Sequence, residues 1–109
     1  MPHFMMNLKY SQAAIKAMIA NPSDRKKVAE DALAGAGATL KAFYFVFGES
    51  DLVIIYEAPN AVSAAALAMT LGASGAASDV ETHLLMTTEE AMEAMRQAAA
   101  TRGAYHPPS

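Results

Sequence analysis

Residues 40–58 read LKAFYFVFGESDLVIIYEA, and this stretch decides the fold class. Aromatic and β-branched residues dominate residues 40–47 and 51–58, and the small polar residues 48–50 between them favour a turn. The stretch therefore predicts a β-hairpin. A strand with one face in water alternates apolar and polar residues. The first arm is apolar on both faces, so we expect other parts of the protein or a partner to pack on each side of it. Its two faces carry Phe43, Phe45 and Phe47 on one side and Leu40, Ala42, Tyr44 and Val46 on the other.

The composition indicates one folded domain and narrows the range of partners. The chain has 109 residues, 53% of them hydrophobic, with a formal net charge of -3 and no cysteine. This size suits a single globular core. The acidic balance argues against nucleic acid and anionic membranes, since phosphate binding needs clustered Lys and Arg. The one basic cluster, residues 25–27, is expected to form a solvated helix face. No signal peptide or membrane-length apolar run is evident, so we expect a cytoplasmic protein.

One strand and two helices are predicted before the hairpin. The alternation over His3–Tyr10 predicts the first strand. Ser11 is expected to cap a short helix that ends at Asn21, because the residue before a proline is pushed out of the α region. Asn21 and Pro22 then suit the start of a second helix, which should end at the glycines of residues 35–37.

One helix and one strand are predicted directly after the hairpin. Pro59 ends the second arm, and Asn60 is expected to cap an alanine-rich helix over residues 61–71. Alanine favours helix and permits close approach to a sheet. Residues 80–86 predict the fourth strand.

A final helix follows the fourth strand. Thr87 and Glu90 have the spacing of a capping box, which marks a helix start. The helix that follows carries Met92, Met95 and Ala99 on one face. With no linker or internal repeat in sight, we expect a single domain over residues 1–102 and a disordered tail over 103–109.

The order strand, helix, hairpin, helix, strand predicts a ferredoxin-like α+β fold, βαββαβ, with an extra C-terminal helix. Right-handed crossovers give the strand order 4-1-3-2 with both main helices on one face. The other face remains apolar, which predicts that a second copy packs on it as a dimeric α+β barrel, a homodimer or higher homo-oligomer. The alternative is that the terminal helix covers this face within one chain, through Met92 and Met95.

Several segments of the chain resemble the GYD domain family. The residues that carry the resemblance are the turn 47–53, the opening 1–5, the helix start 21–25, the break 57–60, and segments 63–67 and 85–90. Gly48 and Asp51 stand where the Gly-Tyr-Asp motif has its glycine and aspartate, whereas Ser50 replaces the tyrosine. The resemblance implies a small bacterial protein with a dimeric α+β barrel fold and no established activity for the family.

Two histidines in predicted strands are candidates for chemistry. His3 and His83 belong to strands that should pair, so both rings are expected to share a face with Asn7. Beside a carboxylate such as Glu81 or Glu57, the pair suits a divalent metal or acid/base work. The spacing of the two histidines matches no metal-ligand motif, so we predict no metal site. The preferred interpretation is that both are partly exposed strand residues without a chemical role.

Two tyrosines and one aspartate in the hairpin are the remaining candidates. Tyr44 and Tyr56 lie on neighbouring strands, where their phenols suit the binding of a small carbonyl or phenolic ligand. The alternative is aromatic packing in a core or an interface. Asp51 is expected to cap amides of its own turn.

Three functions compete. The first is a dimeric module that binds a small apolar or aromatic ligand or a partner protein, with Asn7, Tyr44, Tyr56 and His83 as ligand-binding candidates. The second is a cofactor-free isomerase or monooxygenase that acts on a small carbonyl or aromatic compound, which rests on fold analogy alone. The third is a structural assembly protein. We place the binding module first and expect no cofactor.

Overall fold

The computed structural model describes residues 1–109, and its fold is α+β. The elements are β1 (His3–Tyr10), α1 (Gln12–Ala20), α2 (Arg25–Gly35), β2 (Thr39–Phe45), β3 (Leu52–Glu57), α3 (Ala61–Ala73), β4 (Ala77–Leu85) and α4 (Thr88–Thr101), followed by a short 3-10 turn, Arg102–Ala104. The four strands form one antiparallel sheet in the order β2-β3-β1-β4, which confirms the predicted strand order.

Side-chain caps fix most of the helix starts where the sequence predicts them. Ser11 Oγ accepts a hydrogen bond from the Ala14 amide at 3.1 Å, at the start of α1. Asn60 caps α3. Thr87 and Glu90 form the reciprocal capping box that opens α4. These caps satisfy amides that have no partner within the helix itself.

The predicted start of α2 at Asn21 is wrong. Asn21 ends α1, and α2 begins only after Asp24. The Asp24 carboxylate accepts hydrogen bonds from the amides of Lys26 at 3.1 Å and Lys27 at 3.3 Å. A carboxylate at a helix N-terminus also gains from the helix dipole, so Asp24 is the stronger cap of the two.

A β-bulge in β2 changes which residues share a face. Leu40 pairs with Tyr56, and Ala42 pairs with Ile55, so Lys41 is the extra residue. Strict alternation predicts Leu40 on the side opposite Phe43. The bulge instead places Leu40 on the same side as Phe43, where both pack against the core.

The core lies between one face of the sheet and the helices α2 and α3. Twelve residues are buried. They come mainly from alternate positions of β1 and β3, with additions from the two helices: Phe4, Met6, Leu8, Tyr10, Leu33, Ala38, Leu52, Ile54, Tyr56, Ala58, Ala64 and Leu67. Helix α2 packs on β2 and α3 packs on β4, so the two helices lie over the outer part of the sheet.

The other side of the sheet, here called the open face, has no helix over it. Its centre is formed by Met5, Asn7 and their β3 neighbours Ile55 and Val53. Within one chain, α4 does not provide cover, because every α4 side chain is exposed except the half-buried Ala91. The apolar stripe of α4 is therefore exposed to solvent in the single chain.

The length and hydropathy of the helices decide whether any of them could cross a membrane. None of them combines the length with the apolar character that a membrane crossing requires.

Candidate ligand-binding cavity

A cavity of about 390 Å³ lies between the sheet and the helices α2 and α3, and we call it the helix-side cavity. It exists because the helices pack on the outer strands and because alanines face it. The side chains of Met6, Leu8, Ile54 and Tyr56 contribute from the central strands. The small residues that line it from the helices and the adjoining turns are Ala29, Ala32, Gly35, Ala36, Ala66 and Ala76.

Two polar atoms among the residues that line the helix-side cavity are buried without a hydrogen-bond partner. They are the Tyr56 Oη and the Arg25 Nε. Tyr56 is 0% exposed, and its ring stacks on Phe4 with 5.6 Å between the centroids. A buried polar group without a partner is costly, so each of these atoms calls for an explanation.

Burial raises the pKa of the Tyr56 phenol, and the nearby Thr82 side chain opposes this effect. No hydrogen bond of good geometry joins the Tyr56 Oη to Thr82 or to any other protein atom. The phenol is therefore neutral at physiological pH and able to donate. The other titratable side chains that line the helix-side cavity are Tyr10 and Arg25. The Tyr56 Oη and the Arg25 Nε are themselves closed off from the open volume, so the accessible wall of the cavity is mostly apolar.

The structure separates the two tyrosines that the sequence analysis grouped together. Tyr56 faces the helices and is fully buried, whereas Tyr44 lies on the open face and is 68% exposed. Tyr44 pairs with Val53, three positions before Tyr56 along β3, so the two phenols point to opposite sides of the sheet. The two phenols therefore do not line one cavity within a single chain. Only Tyr56 lines the helix-side cavity.

The other predicted site residues do share the open face. His3, Asn7 and His83 all lie there, since His83 pairs with Met5 and alternation along β1 places them on one side. His83 Nε2 is 3.6 Å from the Glu81 carboxylate. The Asn7 Oδ1 is buried and has no hydrogen-bond partner.

His3 makes a separate contact with a carboxylate on the same face. Its Nε2 is 2.9 Å from Glu57 Oε1, and Lys41 Nζ is 3.9 Å from the other Glu57 oxygen. The two histidines thus pair with different carboxylates. No group of three or more potential metal ligands occurs in the structure.

Asp51 caps a strand end and not its own turn, so that prediction is corrected. Its Oδ2 accepts a hydrogen bond from the Tyr10 amide at 2.9 Å. Its own amide donates to the Leu8 carbonyl at 2.9 Å. Gly48, the other motif residue, lies in the exposed turn with nothing packed against its Cα. The motif therefore acts here through Asp51, as a structural link between the turn and β1.

Arg25 is the cavity residue that the sequence analysis missed. It was expected on a solvated helix face with Lys26 and Lys27, but it is half-buried. The signal was present in the spacing. Arg25 precedes Val28 and Ala29 by three and four positions, so it continues the apolar stripe of α2. A charged residue in line with an apolar stripe indicates a contact below the surface.

The structure is a ferredoxin-like α+β domain with a mostly apolar cavity between its sheet and its helices. The sequence profile of the GYD domain matches residues 4–95, and the chain belongs to this family. This match confirms the resemblance drawn from the motifs. A search of the curated proteins gave no match.

Two solved structures have similar folds. The crystal structure of MtbAldR matches with a TM-score of 0.59 and 10% identity, over 79% of this chain and 53% of that one. The crystal structure of PH0061 matches with a TM-score of 0.45 and 14% identity, over 80% of this chain and 53% of that one. This chain thus spans about half the length of each. The similarity to MtbAldR supports the fold alone.

Proposed function

We propose that this GYD domain protein is a small-ligand-binding module and that its ligand occupies the helix-side cavity. One observation carries the proposal: a mostly apolar cavity of about 390 Å³ lies between the sheet and the helices α2 and α3. Ligand sites are typically concave, largely apolar and supplied with a few polar groups that orient the ligand.

The chemistry of the cavity favours binding over the alternative, a cofactor-free isomerase or monooxygenase. Proton abstraction requires a base placed at the substrate. The titratable groups that line the cavity are Tyr10, Arg25 and Tyr56, all of them donors in their ordinary states. This set provides no carboxylate or imidazole to take a proton.

The same proposal includes a homodimer that closes as a dimeric α+β barrel through the open face. Apolar side chains at the centre of that face, among them Met5, Val53 and Ile55, are only half-buried in one chain. A second copy packed sheet on sheet removes them from water and gives the buried Asn7 Oδ1 the opportunity to find a donor. The domain covers residues 1–102 in this proposal, and the site is complete within each copy.

Binding of a neutral apolar dye, N-phenyl-1-naphthylamine, tests the location of the site. Its fluorescence is titrated with the wild-type protein and with Ala29→Leu, which fills the cavity from α2. Ala34→Leu is the matched control, since Ala34 lies on the same helix and is exposed outside the cavity. We expect Ala29→Leu to weaken binding at least tenfold and Ala34→Leu to leave it unchanged. Equal binding by both variants overturns the proposal.

A further inference from the structure

The helix-side cavity lies beneath a gap between two helices. The strand order is β2-β3-β1-β4, and α2 packs on β2 whereas α3 packs on β4. The two helices have no extensive contact with each other. Residues of the central strands, such as Met6 and Ile54, line the cavity, and no residue of β4 does. The cavity is therefore placed over the central strands, below the space that separates α2 from α3.

Helix α2 turns two rows of residues towards this cavity. One row, which includes Ala29 and Leu33, is half-buried or buried and faces the sheet. The other row lines the cavity and is nevertheless exposed to solvent; it consists of Val28, Ala32 and Gly35. Its spacing of i, i+4 and i+7 places it along one side of the helix. A Cβ added at Gly35 meets no atom within 4 Å, so this side of α2 borders open space.

Helix α3 has the same arrangement on the other side of the gap. Leu67 is buried beneath the helix, whereas Ala66 and Thr70 line the cavity and are exposed. These two residues are four positions apart, so they also share one side of their helix. Residues that both line a cavity and contact solvent form its rim. The exposed rows of α2 and α3 thus border an opening between the two helices, which we call the slot.

The side chains along the slot are small and uncharged. Ala32, Gly35 and Ala66 have no atom beyond Cβ, and α3 contains no charged residue over its whole length. The Thr70 hydroxyl donates a hydrogen bond to the Ala66 carbonyl at 2.8 Å, so it is already paired within the helix. An apolar molecule that crosses the slot therefore breaks no ion pair, displaces no long side chain, and moves from water to an apolar wall.

We propose that ligands enter and leave the helix-side cavity sideways, through the slot between α2 and α3, and that the residues at positions 32 and 66 control this passage. This inference rests on the proposed function and adds to it the route and the controlling residues. Alanine at these two positions keeps the slot open, and a larger group at either one closes it over the bound molecule.

Chemical modification of single cysteines tests the route. The chain contains no cysteine, so one introduced cysteine is a unique attachment point. Ala32→Cys and Ala66→Cys place it in the slot. Ala34→Cys and Ala65→Cys are the matched controls, because both positions are exposed on the same two helices and do not line the cavity.

Each variant is loaded with N-phenyl-1-naphthylamine and then treated with N-cyclohexylmaleimide, and stopped-flow dilution measures the rate of dye release. We expect modification at position 32 or 66 to slow release by roughly tenfold or more, since a closed gate traps the bound molecule. We expect modification at position 34 or 65 to leave release unchanged. When modification precedes the dye, association should be slowed at the slot positions only.

Two results overturn the inference. Unchanged release after modification at both slot positions shows that the dye uses another route. Faster release shows that the added ring occupies the cavity and does not close the slot. Because all four positions are exposed, the fold should tolerate each change, and circular dichroism of the modified variants checks this.

The result for Ala29→Leu separates this inference from the proposed function. If Ala29→Leu weakens dye binding while modification in the slot leaves release unchanged, the cavity remains a ligand site and only the route is wrong. If Ala29→Leu binds the dye as the wild type does, the proposed function fails, and the route through the slot fails with it.

Discussion

The Asp51 carboxylate accepts a hydrogen bond from the Tyr10 amide at 2.9 Å, across 41 positions of sequence. The Asp51 backbone adds two more hydrogen bonds, from its amide to the Leu8 carbonyl and from the Val46 amide to its carbonyl. This aspartate thus joins the hairpin turn to the last residues of β1. The pairing of β1 with β3 ends at Leu8 and Leu52, so the carboxylate supplies an acceptor for the Tyr10 amide beyond the end of that ladder.

Asp51→Ala is expected to destabilise the protein by about 1–3 kcal/mol, because it leaves the part-buried Tyr10 amide without an acceptor. Asp51→Asn keeps an acceptor oxygen and is expected to lose less. Urea unfolding measures both. Glu49→Ala, in the exposed part of the same turn, is the control and should stay within about 0.5 kcal/mol of wild type. Equal stability for Asp51→Ala and Glu49→Ala would show that the link contributes nothing.

Tyr56→Phe is expected to leave the ligand-free protein as stable as wild type or up to about 2 kcal/mol more stable. The substitution keeps the buried ring and removes a hydroxyl that has no partner, and the desolvation of such a hydroxyl is a cost. The measurement is the free energy of unfolding in dialysed protein. A loss of more than about 1 kcal/mol would show that Thr82 or another group holds the hydroxyl in the folded chain.

Val53→Asp is expected to yield a monomer, because it places a carboxylate at the centre of the proposed dimer interface. Val62→Asp makes the identical change on α3, where Val62 is 77% exposed and outside the open face. That control should remain a dimer, and an aspartate in the first turn of a helix is tolerated. Light scattering coupled to size-exclusion chromatography measures the mass. A wild-type monomer, or a dimer in both variants, would refute the interface.

The first turn of α4 is expected to lose order in acid. The pKa of the Glu90 carboxyl is lowered, chiefly because it accepts a hydrogen bond from the Thr87 amide, with smaller effects from His3 and the amino terminus. A carboxyl whose pKa is lower in the folded state stabilises the fold above its unfolded-state pKa. That contribution is lost as the pH falls through the folded-state value.

Carbon chemical shifts of residues 88–91, followed by NMR during acidification, measure this loss. Glu90→Gln retains an acceptor for the Thr87 amide but does not titrate, so its shifts should stay constant over the same range. A titration that is identical in the wild-type protein and in the Glu90→Gln variant would assign the change to another group.

Local signals in the sequence predicted most of the fold. Strand β1 has the predicted bounds, and Ser11, Asn60 and Thr87 cap the helices as their chemistry indicates. The bulge at Lys41 was not predictable from alternation, since an extra residue in one strand becomes visible only once its partner is known. The same hidden register explains the wrong face for Leu40.

The candidate site was predictable only in part. Tyr56 was predicted as a ligand-binding candidate together with Tyr44. Their separation depends on which face the helices cover, and that depends on the register of the whole sheet. The cavity itself arises from the placement of α2 and α3 over the outer strands. Small residues such as Ala29 and Ala32 permit a helix to pack closely on a sheet, and they leave free volume if the helix lies further away. The distance between helix and sheet decides between these outcomes, and the sequence does not give it.

The bulge at Lys41 also affects whether strands of different chains can pair along the exposed edge of the sheet. Strand β2 is an edge of the sheet, and the aromatic run 43–47 begins in its last three residues, a stretch suited to templating further strands. A bulge and a lysine on an edge strand both discourage such pairing. Growth into open-ended fibrils through this edge is thereby opposed, even though its side chains favour strand pairing.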